Sequence, residues 1–194
     1  PWMVGFTSSF DQNCASLLLI QAVKRARPSI LTVMGGSNCE ADMGEALFAG
    51  FPEIDYIGQG ECDRSFVELA QTLRHGQGEH PIPGILSRAR TPPQPSLLQV
   101  SLSPKRVSAP LLQRADLDEL PYPDFTDYFA QLAARSYQKR VFPCLGIETA
   151  RGCWWGAKQH CTFCGLNGET MAYRSKSPGR LLDEIRYLSQ RYAV

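Results

Sequence analysis

Three cysteines that lie close together in the chain could bind a metal. Cys153, Cys161 and Cys164 follow the pattern C-x7-C-x2-C, and Cys153 comes directly after a glycine, just past a predicted strand. Cysteine thiolates on such a loop are common ligands of an iron–sulfur cluster or of a structural zinc ion. A four-iron cluster held by three cysteines keeps one iron without a protein ligand, so a small molecule could bind there and undergo chemistry.

Two other interpretations of the same residues remain open. With His160 as a fourth ligand, the cysteines would form a Cys3His zinc site, although adjacent His160 and Cys161 are difficult to aim at one ion. The thiols could also be unrelated, but a C-x2-C pair places two sulfurs within reach of one metal. The pattern therefore favours a cluster and leaves zinc as the alternative.

The cysteine loop resembles the cluster loop of radical S-adenosylmethionine (SAM) enzymes. The resemblance rests on ETARGC, residues 148–153, followed by Cys161-Thr162-Phe163-Cys164. Most of that superfamily has C-x3-C-x2-C with an aromatic residue before the last cysteine; this chain has the aromatic Phe163 and four extra residues in the first gap. The longer gap is similar to that of radical SAM proteins that mature ribosomally synthesised peptides (RiPP maturation), some of which carry a cobalamin domain in front.

This resemblance implies a set of ligands and a reaction. Cys153, Cys161 and Cys164 would ligate a 4Fe-4S cluster, SAM would bind the fourth iron through its amino and carboxylate groups, and Phe163 would lie near the adenine. Reductive cleavage of SAM would supply a 5′-deoxyadenosyl radical that abstracts hydrogen from an unactivated carbon, and methylcobalamin would supply the methyl group. The implied partners are a precursor peptide, which would be C-methylated, and an electron donor such as a flavodoxin or ferredoxin.

The composition is that of an ordinary soluble, globular chain. With 194 residues, 43% of them hydrophobic, it can bury a core, and a net charge of +1 gives no argument for a nucleic-acid or membrane partner. The sequence has neither a signal peptide nor a run of about 18 apolar residues. Seven cysteines, an odd number, suit a reducing compartment, so we expect a cytoplasmic protein.

Strand, polar loop and helix alternate three times, which predicts an α/β fold with a Rossmann-like, doubly wound parallel sheet. The predicted strands are 2–6, 30–34 and 54–57, and the predicted helices are 12–27, 41–49 and 63–73. On the first helix we expect an apolar face made by Leu17, Leu18, Leu19, Ile20 and Val23. Ligands of such sheets bind beyond the carboxyl ends of the strands, although the dinucleotide motif G-x-G-x-x-G is absent here.

The loops at those strand ends are similar to the cobalamin-binding domain of B12-dependent radical SAM enzymes. The runs that carry the resemblance are VGFTSS, VMGGSNCE and IGQGECDRSFVEL. It implies that cobalamin contacts Thr7, Ser8, Gly35, Gly36, Ser37, Gly58, Gln59, Gly60 and Glu61. Because the D-x-H-x-x-G signature is missing, we expect no histidine beneath cobalt. A front domain that no longer binds cobalamin, and a non-catalytic cobalamin-binding or zinc-stabilised interaction module, remain alternatives.

The predicted organisation has three parts: a cobalamin-binding domain over 1–110, a linker over 111–141, and the start of a radical SAM (β/α) barrel over 142–194. Runs at 84–88 and 97–102 predict a small hairpin. Since a full (β/α)8 barrel takes about 250 residues, we expect a truncated barrel. We further expect the chain to be a piece of a longer protein, with the first strand of the cobalamin domain missing.

Within the last part, residues 142–149 should be the first barrel strand, which would deliver Cys153 to the carboxyl edge of the barrel, with Cys144 in the core. Ser177 should cap a helix that begins at Pro178. We expect the inner face of this helix to be Leu181, Leu182, Ile185 and Leu188. Arg174 and Lys176, just before the cap, are predicted to reach SAM or substrate.

Overall fold

The computed structural model describes residues 1–76, 81–88, 115–135, 140–159, 161–162 and 172–192. These residues fall into two compact units, one within 1–88 and one within 115–192. In the part of the chain that is described, no helix is both long and apolar enough to cross a membrane.

The first unit is a four-stranded sheet with three helices, in the predicted alternating order. The strands lie side by side in chain order; the first three are parallel, and the fourth is antiparallel to the third. In sequence, the elements are β1 (Met3–Thr7), α1 (Asn13–Ala26), β2 (Leu31–Gly35), α2 (Ala41–Gly50), β3 (Tyr56–Gly58), α3 (Ser65–His75) and β4 (Ile85–Ser87). The structure therefore confirms an α/β unit with a mostly parallel sheet.

Helices cover both faces of this sheet because neighbouring residues of a strand point to opposite sides. On β2, Met34 packs with Ile20 of α1 in one buried cluster. The adjacent Val33 packs with Leu69 of α3 in a second cluster on the other face. Two apolar clusters on opposite faces are what a doubly wound sheet requires.

The apolar face predicted for α1 is only partly correct. Ile20 is buried, but Leu18 and Leu19 are 64% and 57% exposed. Consecutive residues of a helix point in directions about 100° apart, so a run of four apolar residues cannot all face one sheet. The prediction overestimated how many of them the sheet covers.

The first strand of the predicted hairpin, over 84–88, pairs with a different partner. Residues Ile85–Ser87 pair with β3 of the main sheet, antiparallel to it. The second predicted run, 97–102, lies outside the described residues. The strand thus extends the main sheet, whose β3 offers a free row of backbone groups on the side opposite β2.

Arg88 directly follows β4 and closes the carboxyl end of α2. Its guanidinium donates to the carbonyl oxygens of Phe48, Phe51 and Ile54, and it lies 4.1 Å from the centroid of the Phe48 ring. The last carbonyls of a helix have no partner within the helix, so a cation placed there satisfies them and interacts favourably with the helix dipole.

We expect Arg88→Met to lower the free energy of unfolding by about 1.5–3 kcal/mol, because hydrogen bonds from a charged donor are lost and partly buried carbonyls lose their partner. Urea denaturation of the full chain measures this change. The matched control is Arg25→Met at an exposed position of α1, which should change stability by no more than about 0.5 kcal/mol. Equal effects of the two substitutions would contradict the capping role.

The second unit is built around one long helix. Its elements are α4 (Thr126–Ala133), β5 (Ala150–Arg151), β6 (Arg174–Ser175) and α5 (Pro178–Tyr192). The two short strands pair antiparallel. The (β/α) barrel is not among the features that the described residues establish.

The prediction of a first barrel strand over 142–149 is wrong. Residues 142–149 form no strand, and the pairing begins only at Ala150. A strand needs a neighbour for its backbone groups, and in the described part of this unit the only such neighbour is Arg174–Ser175. Phe142 is 88% exposed, and Cys144, predicted to lie in the core, is also exposed.

Helix α5 begins where the sequence predicted, but it buries a different face. The Arg180 N–H donates to Ser177 Oγ at 3.2 Å, which confirms Ser177 as the cap. Leu188 is buried as expected, whereas Leu182 and Ile185 are 52% and 40% exposed. The buried face instead includes the charged residue Glu184.

Residues 115–125, predicted as part of a linker, are hydrogen bonded to α5 and to its cap. The Ser177 N–H donates to Asp118 Oδ1 at 2.8 Å, and the Tyr192 hydroxyl donates to Asp124 Oδ1 at 2.8 Å. The ring of Tyr122 stacks on that of Tyr187, with 4.8 Å between centroids. This segment therefore belongs to the packed second unit.

Candidate functional site

The cysteine loop leaves β5 through Gly152 and turns at once. Gly152 has a φ of 82°, a conformation that glycine adopts without strain. The Ala157 N–H then donates to the Cys153 carbonyl at 2.9 Å, and the Gln159 N–H donates to the Trp155 carbonyl at 2.8 Å. Residues 153–159 thus form a tight, helix-like turn that begins at the first predicted metal ligand.

The sulfur of Cys153 accepts a backbone hydrogen bond. The N–H of Gly156 lies 3.2 Å from Cys153 Sγ. Backbone N–H groups that point at cysteine sulfur stabilise the thiolate and are one of the factors that set the reduction potential of iron–sulfur clusters. This donor was not predicted, because no side-chain pattern encodes a backbone N–H.

The predicted ligand set is only partly within the described residues. Cys153 and Cys161 are both half-buried, while Cys164 and Phe163 lie outside the described part of the chain. His160, the alternative zinc ligand, lies outside it too. Among the described residues, which include only two of the three cysteines, no group of three or more His, Cys, Asp or Glu side chains could hold a metal ion.

Two tryptophans next to Cys153 are exposed. Trp154 and Trp155 are 57% and 50% exposed, and their ring centroids are 6.2 Å apart. Lys158 Nζ lies 4.1 Å from the Trp154 centroid, within the range of a cation–π contact. The start of the cysteine loop therefore carries an apolar, aromatic surface.

The two cations predicted to reach SAM or substrate are engaged within the second unit. Lys176 is 7% exposed and pairs with Glu184 at 2.6 Å. An Arg174 guanidinium N–H donates to the Ala115 carbonyl at 2.8 Å. Lys176 in particular is too buried to meet a ligand.

In the first unit, the loops after β1 and β2 converge, as predicted for the carboxyl edge of a parallel sheet. The Ser8 N–H donates to the Gly35 carbonyl at 2.7 Å, and the Asn38 N–H donates to the Ser8 carbonyl at 3.1 Å. The Asn38 amide also donates to Ser8 Oγ at 3.0 Å, and that hydroxyl bonds Asn13. Ser8 is fully buried by these contacts.

The loop after β3 joins the same edge. Gln59 Nε2 donates to the Ala41 carbonyl at 3.0 Å, and Gln59 is 9% exposed. A Cβ on Gly35 would lie 3.7 Å from the carbonyl oxygen of Gly58, because the ends of β2 and β3 are side by side. Thr7 and Gly36 are exposed; Gly35, Ser37, Gly60 and Glu61 are half-buried, and Gly58 is buried.

The sequence interpretation missed residues that shape this edge. Asn38 links the first two loops, and the polar run Gly35-Gly36-Ser37-Asn38 at the end of β2 was the available signal. The carboxyl group of Glu40 has a raised pKa because it is partly buried and because the Glu61 carboxylate is near. Burial and the neighbouring carboxylate both disfavour the ionised form of Glu40.

Two thiols near this edge are protected from ionisation. Burial raises the pKa of Cys39 to about 11, with contributions from Cys62 and Glu40. Burial also raises the pKa of Cys62 to about 11, with contributions from Asp63 and Glu40. At pH 8, only about one molecule in a thousand then carries either thiolate, which is the reactive form.

We therefore expect iodoacetamide at pH 8 to alkylate the exposed Cys14 and Cys144 well before Cys39 and Cys62. Since a raised pKa delays ionisation, the labelling rate of Cys39 and Cys62 should keep rising until about pH 11. Peptide mass spectrometry after timed labelling of the native protein measures each rate. Labelling of all four at one rate at pH 8 would show that the two thiols are not shielded.

Comparison with models of known protein families finds no match to this chain. Comparison with curated proteins likewise finds none that is similar.

Proposed function

We propose that this chain is part of a radical SAM enzyme in which Cys153, Cys161 and Cys164 hold a 4Fe-4S cluster. The observation that carries the proposal is the turn at Cys153, where a half-buried thiol follows a strand and accepts a hydrogen bond from the Gly156 N–H. The spacing C-x7-C-x2-C supplies two further thiols shortly afterwards. When bound, the cluster and SAM would supply a carbon-centred radical; the protein would contribute binding and orientation.

The residues around Cys153 fit such a cluster. Arg151 forms a bidentate ion pair with Glu148, at 2.8 and 2.9 Å, which holds the two residues together just before the loop. Trp154 and Trp155 directly follow the first ligand in the chain and are exposed, so they are available to a bound group or substrate. The donor to the Cys153 sulfur is the backbone N–H of Gly156, so it does not depend on the rotamer of any side chain.

We propose cobalamin as the second cofactor, bound beyond the carboxyl ends of β1, β2 and β3. Three polar loops converge at this edge, where doubly wound sheets bind ligands. Gly36 is exposed at this edge, so a ligand could contact its backbone. The partly buried carboxyl group of Glu40 could accept a hydrogen bond from an amide side chain of a corrin.

The substrate we propose is a ribosomally made precursor peptide that becomes C-methylated, with a flavodoxin or ferredoxin as the electron donor, in the cytoplasm. Support comes from the long first gap of the cysteine pattern. The exposed indoles of Trp154 and Trp155 add a surface on which a peptide side chain could pack beside the metal.

Anaerobic reconstitution of the full-length protein with iron and sulfide tests the cluster. We expect a brown protein with about four irons per chain and, after reduction with dithionite, release of methionine and 5′-deoxyadenosine from SAM. Tight binding of zinc without colour would instead support a structural Cys3His module.

A radical SAM enzyme whose first unit does not bind cobalamin is the second candidate. It is favoured by Ser8 and Gln59, whose polar side-chain groups are already engaged by Asn38 and Ala41. Incubation with hydroxocobalamin, removal of free ligand and a corrin absorbance spectrum separate the two. A protein that cleaves SAM but retains no corrin would establish the second candidate.

A further inference from the structure

A cluster of three charged side chains is buried at the start of α5. Glu184 Oε2 lies 2.6 Å from Lys176 Nζ and 2.8 Å from an Arg180 guanidinium nitrogen. The side chains of Lys176 and Glu184 are only 4% and 1% exposed. Removing charges from water is costly, so a buried ion pair is weak evidence for stability, and its best-attested use is to specify one arrangement of the chain.

Lys176 connects this cluster to the base of the cysteine loop. Its backbone N–H donates to the Thr149 carbonyl at 2.9 Å, next to the two residue pairs that join β5 and β6. Strand β5 ends at Arg151, two residues before Cys153. Lys176 is therefore bonded to the strand pair by its backbone and to α5 by its side chain.

Arg180 connects the same carboxylate to the segment before α4. Its guanidinium donates to the carbonyls of Asp118, at 3.1 Å, and Leu120, at 2.6 Å, and it lies 3.9 Å from the centroid of the Tyr122 ring. Glu184 thus joins three segments of the second unit, and the strand pair below Cys153 is one of them.

The hydrogen bonds of Glu184 do not give this side chain the greatest possible stability. Its second oxygen, Oε1, is buried and has no hydrogen-bond partner among the described residues. A buried acceptor without a partner is unfavourable, so an apolar side chain of similar size would be the simpler solution for packing alone. The position of this carboxylate is explained by the two cations, Lys176 and Arg180, that pair with Oε2.

We infer that Lys176 and Glu184 are positioning residues, which hold the base of the cysteine loop in the orientation that the metal centre and SAM require. The inference rests on the proposed function. The two residues act through the β5–β6 ladder, in the way that residues behind metal ligands orient those ligands in other metal sites.

Two substitutions made together test this role. Lys176→Met with Glu184→Gln removes both opposite charges at nearly constant volume, and the glutamine oxygen still accepts from Arg180. The matched control is Asp183→Asn with Arg186→Met, a pair on the same helix that is 3.2 Å apart and 63% and 68% exposed. All variants are made in the full-length protein and reconstituted with iron and sulfide.

Three readouts separate positioning from folding: thermal unfolding before iron is added, iron per chain, and the electron paramagnetic resonance spectrum of the reduced cluster with and without SAM. We expect the buried-pair variant to unfold near the wild-type temperature but to bind SAM at least ~10-fold more weakly, with a diminished SAM-induced spectral change. The exposed-pair control should match the wild type in all three.

Wild-type SAM affinity and spectra in the buried-pair variant would overturn the inference while leaving the proposed function intact. A variant that fails to fold before iron is added would also overturn it, because the pair would then be a folding element. If the wild type itself takes up no iron, the proposed function fails, and this inference fails with it.

Discussion

Replacing Cys153, Cys161 and Cys164 together by alanine should abolish iron uptake and SAM cleavage by the reconstituted full-length protein. The physical reason is that thiolates are the only protein ligands proposed for the cluster, and water or alanine cannot replace them in a site that leaves one iron free for SAM. Iron and sulfide analysis, the visible absorbance of the cluster and chromatography of 5′-deoxyadenosine measure the result. We expect activity to fall below detection, the largest effect of any substitution considered.

The chain offers a matched control for that experiment. Cys14 and Cys144 are exposed thiols, and Cys144 lies close to the loop in sequence. Replacing both by alanine should leave iron content and SAM cleavage unchanged, because neither belongs to the C-x7-C-x2-C pattern. Undiminished iron in the triple variant, or an equal loss in the control, would mean that the metal is bound elsewhere and would remove the basis for a radical enzyme.

Gly36→Ala should destabilise the first unit more than Arg88→Met does. Gly36 has φ 109° and ψ 176°, a region that is essentially restricted to glycine. A Cβ there would lie 2.5 Å from the backbone carbonyl oxygen of Ser8, which cannot move without breaking the contacts between the first two loops. Strain and overpacking together should lower the free energy of unfolding by about 2–5 kcal/mol.

Chemical denaturation followed by circular dichroism measures this change, and Gly50→Ala is the matched control. Gly50 is the last residue of α2, and a Cβ there would have no neighbour within 4 Å. Alanine favours a helix over glycine by up to about 1 kcal/mol, so the control should be neutral or slightly stabilising. If Gly36→Ala were equally harmless, the two loops would not be held as closely as the Ser8 contacts indicate.

Sequence patterns predicted the first unit well because its signals are local. Apolar runs such as 30–34 are bounded by glycine or proline, and the polar loop after each one leads into a helix. Parallel pairing follows from that alternation, since a helix between two strands returns the chain to the same edge. The start of α5 was predicted for the same reason: the signal of Ser177 and Pro178 is contained in adjacent residues.

The errors arose where the outcome depended on a distant partner. Whether residues 142–149 form a strand depends on a neighbouring strand, and their own residues do not encode one. The burial of Glu184 could not be predicted, because a carboxylate on a helix is ordinarily solvated and only the approach of Lys176 and Arg180 compensates for its desolvation. Leu18 and Leu19 look like core residues until the extent of the sheet beneath them is known.

By itself, the amino-acid sequence determined the order of strands and helices, the convergence of three polar loops at one sheet edge, and the spacing of the cysteines. These features follow from backbone geometry over short distances. Tertiary structure decided which polar groups at those loops are hydrogen bonded within the protein and which face of α5 is buried. It also decided how Lys176 joins the base of the cysteine loop to that helix. The reason is that burial and ion pairing depend on which side chains meet in space, and residues far apart in the chain supply them.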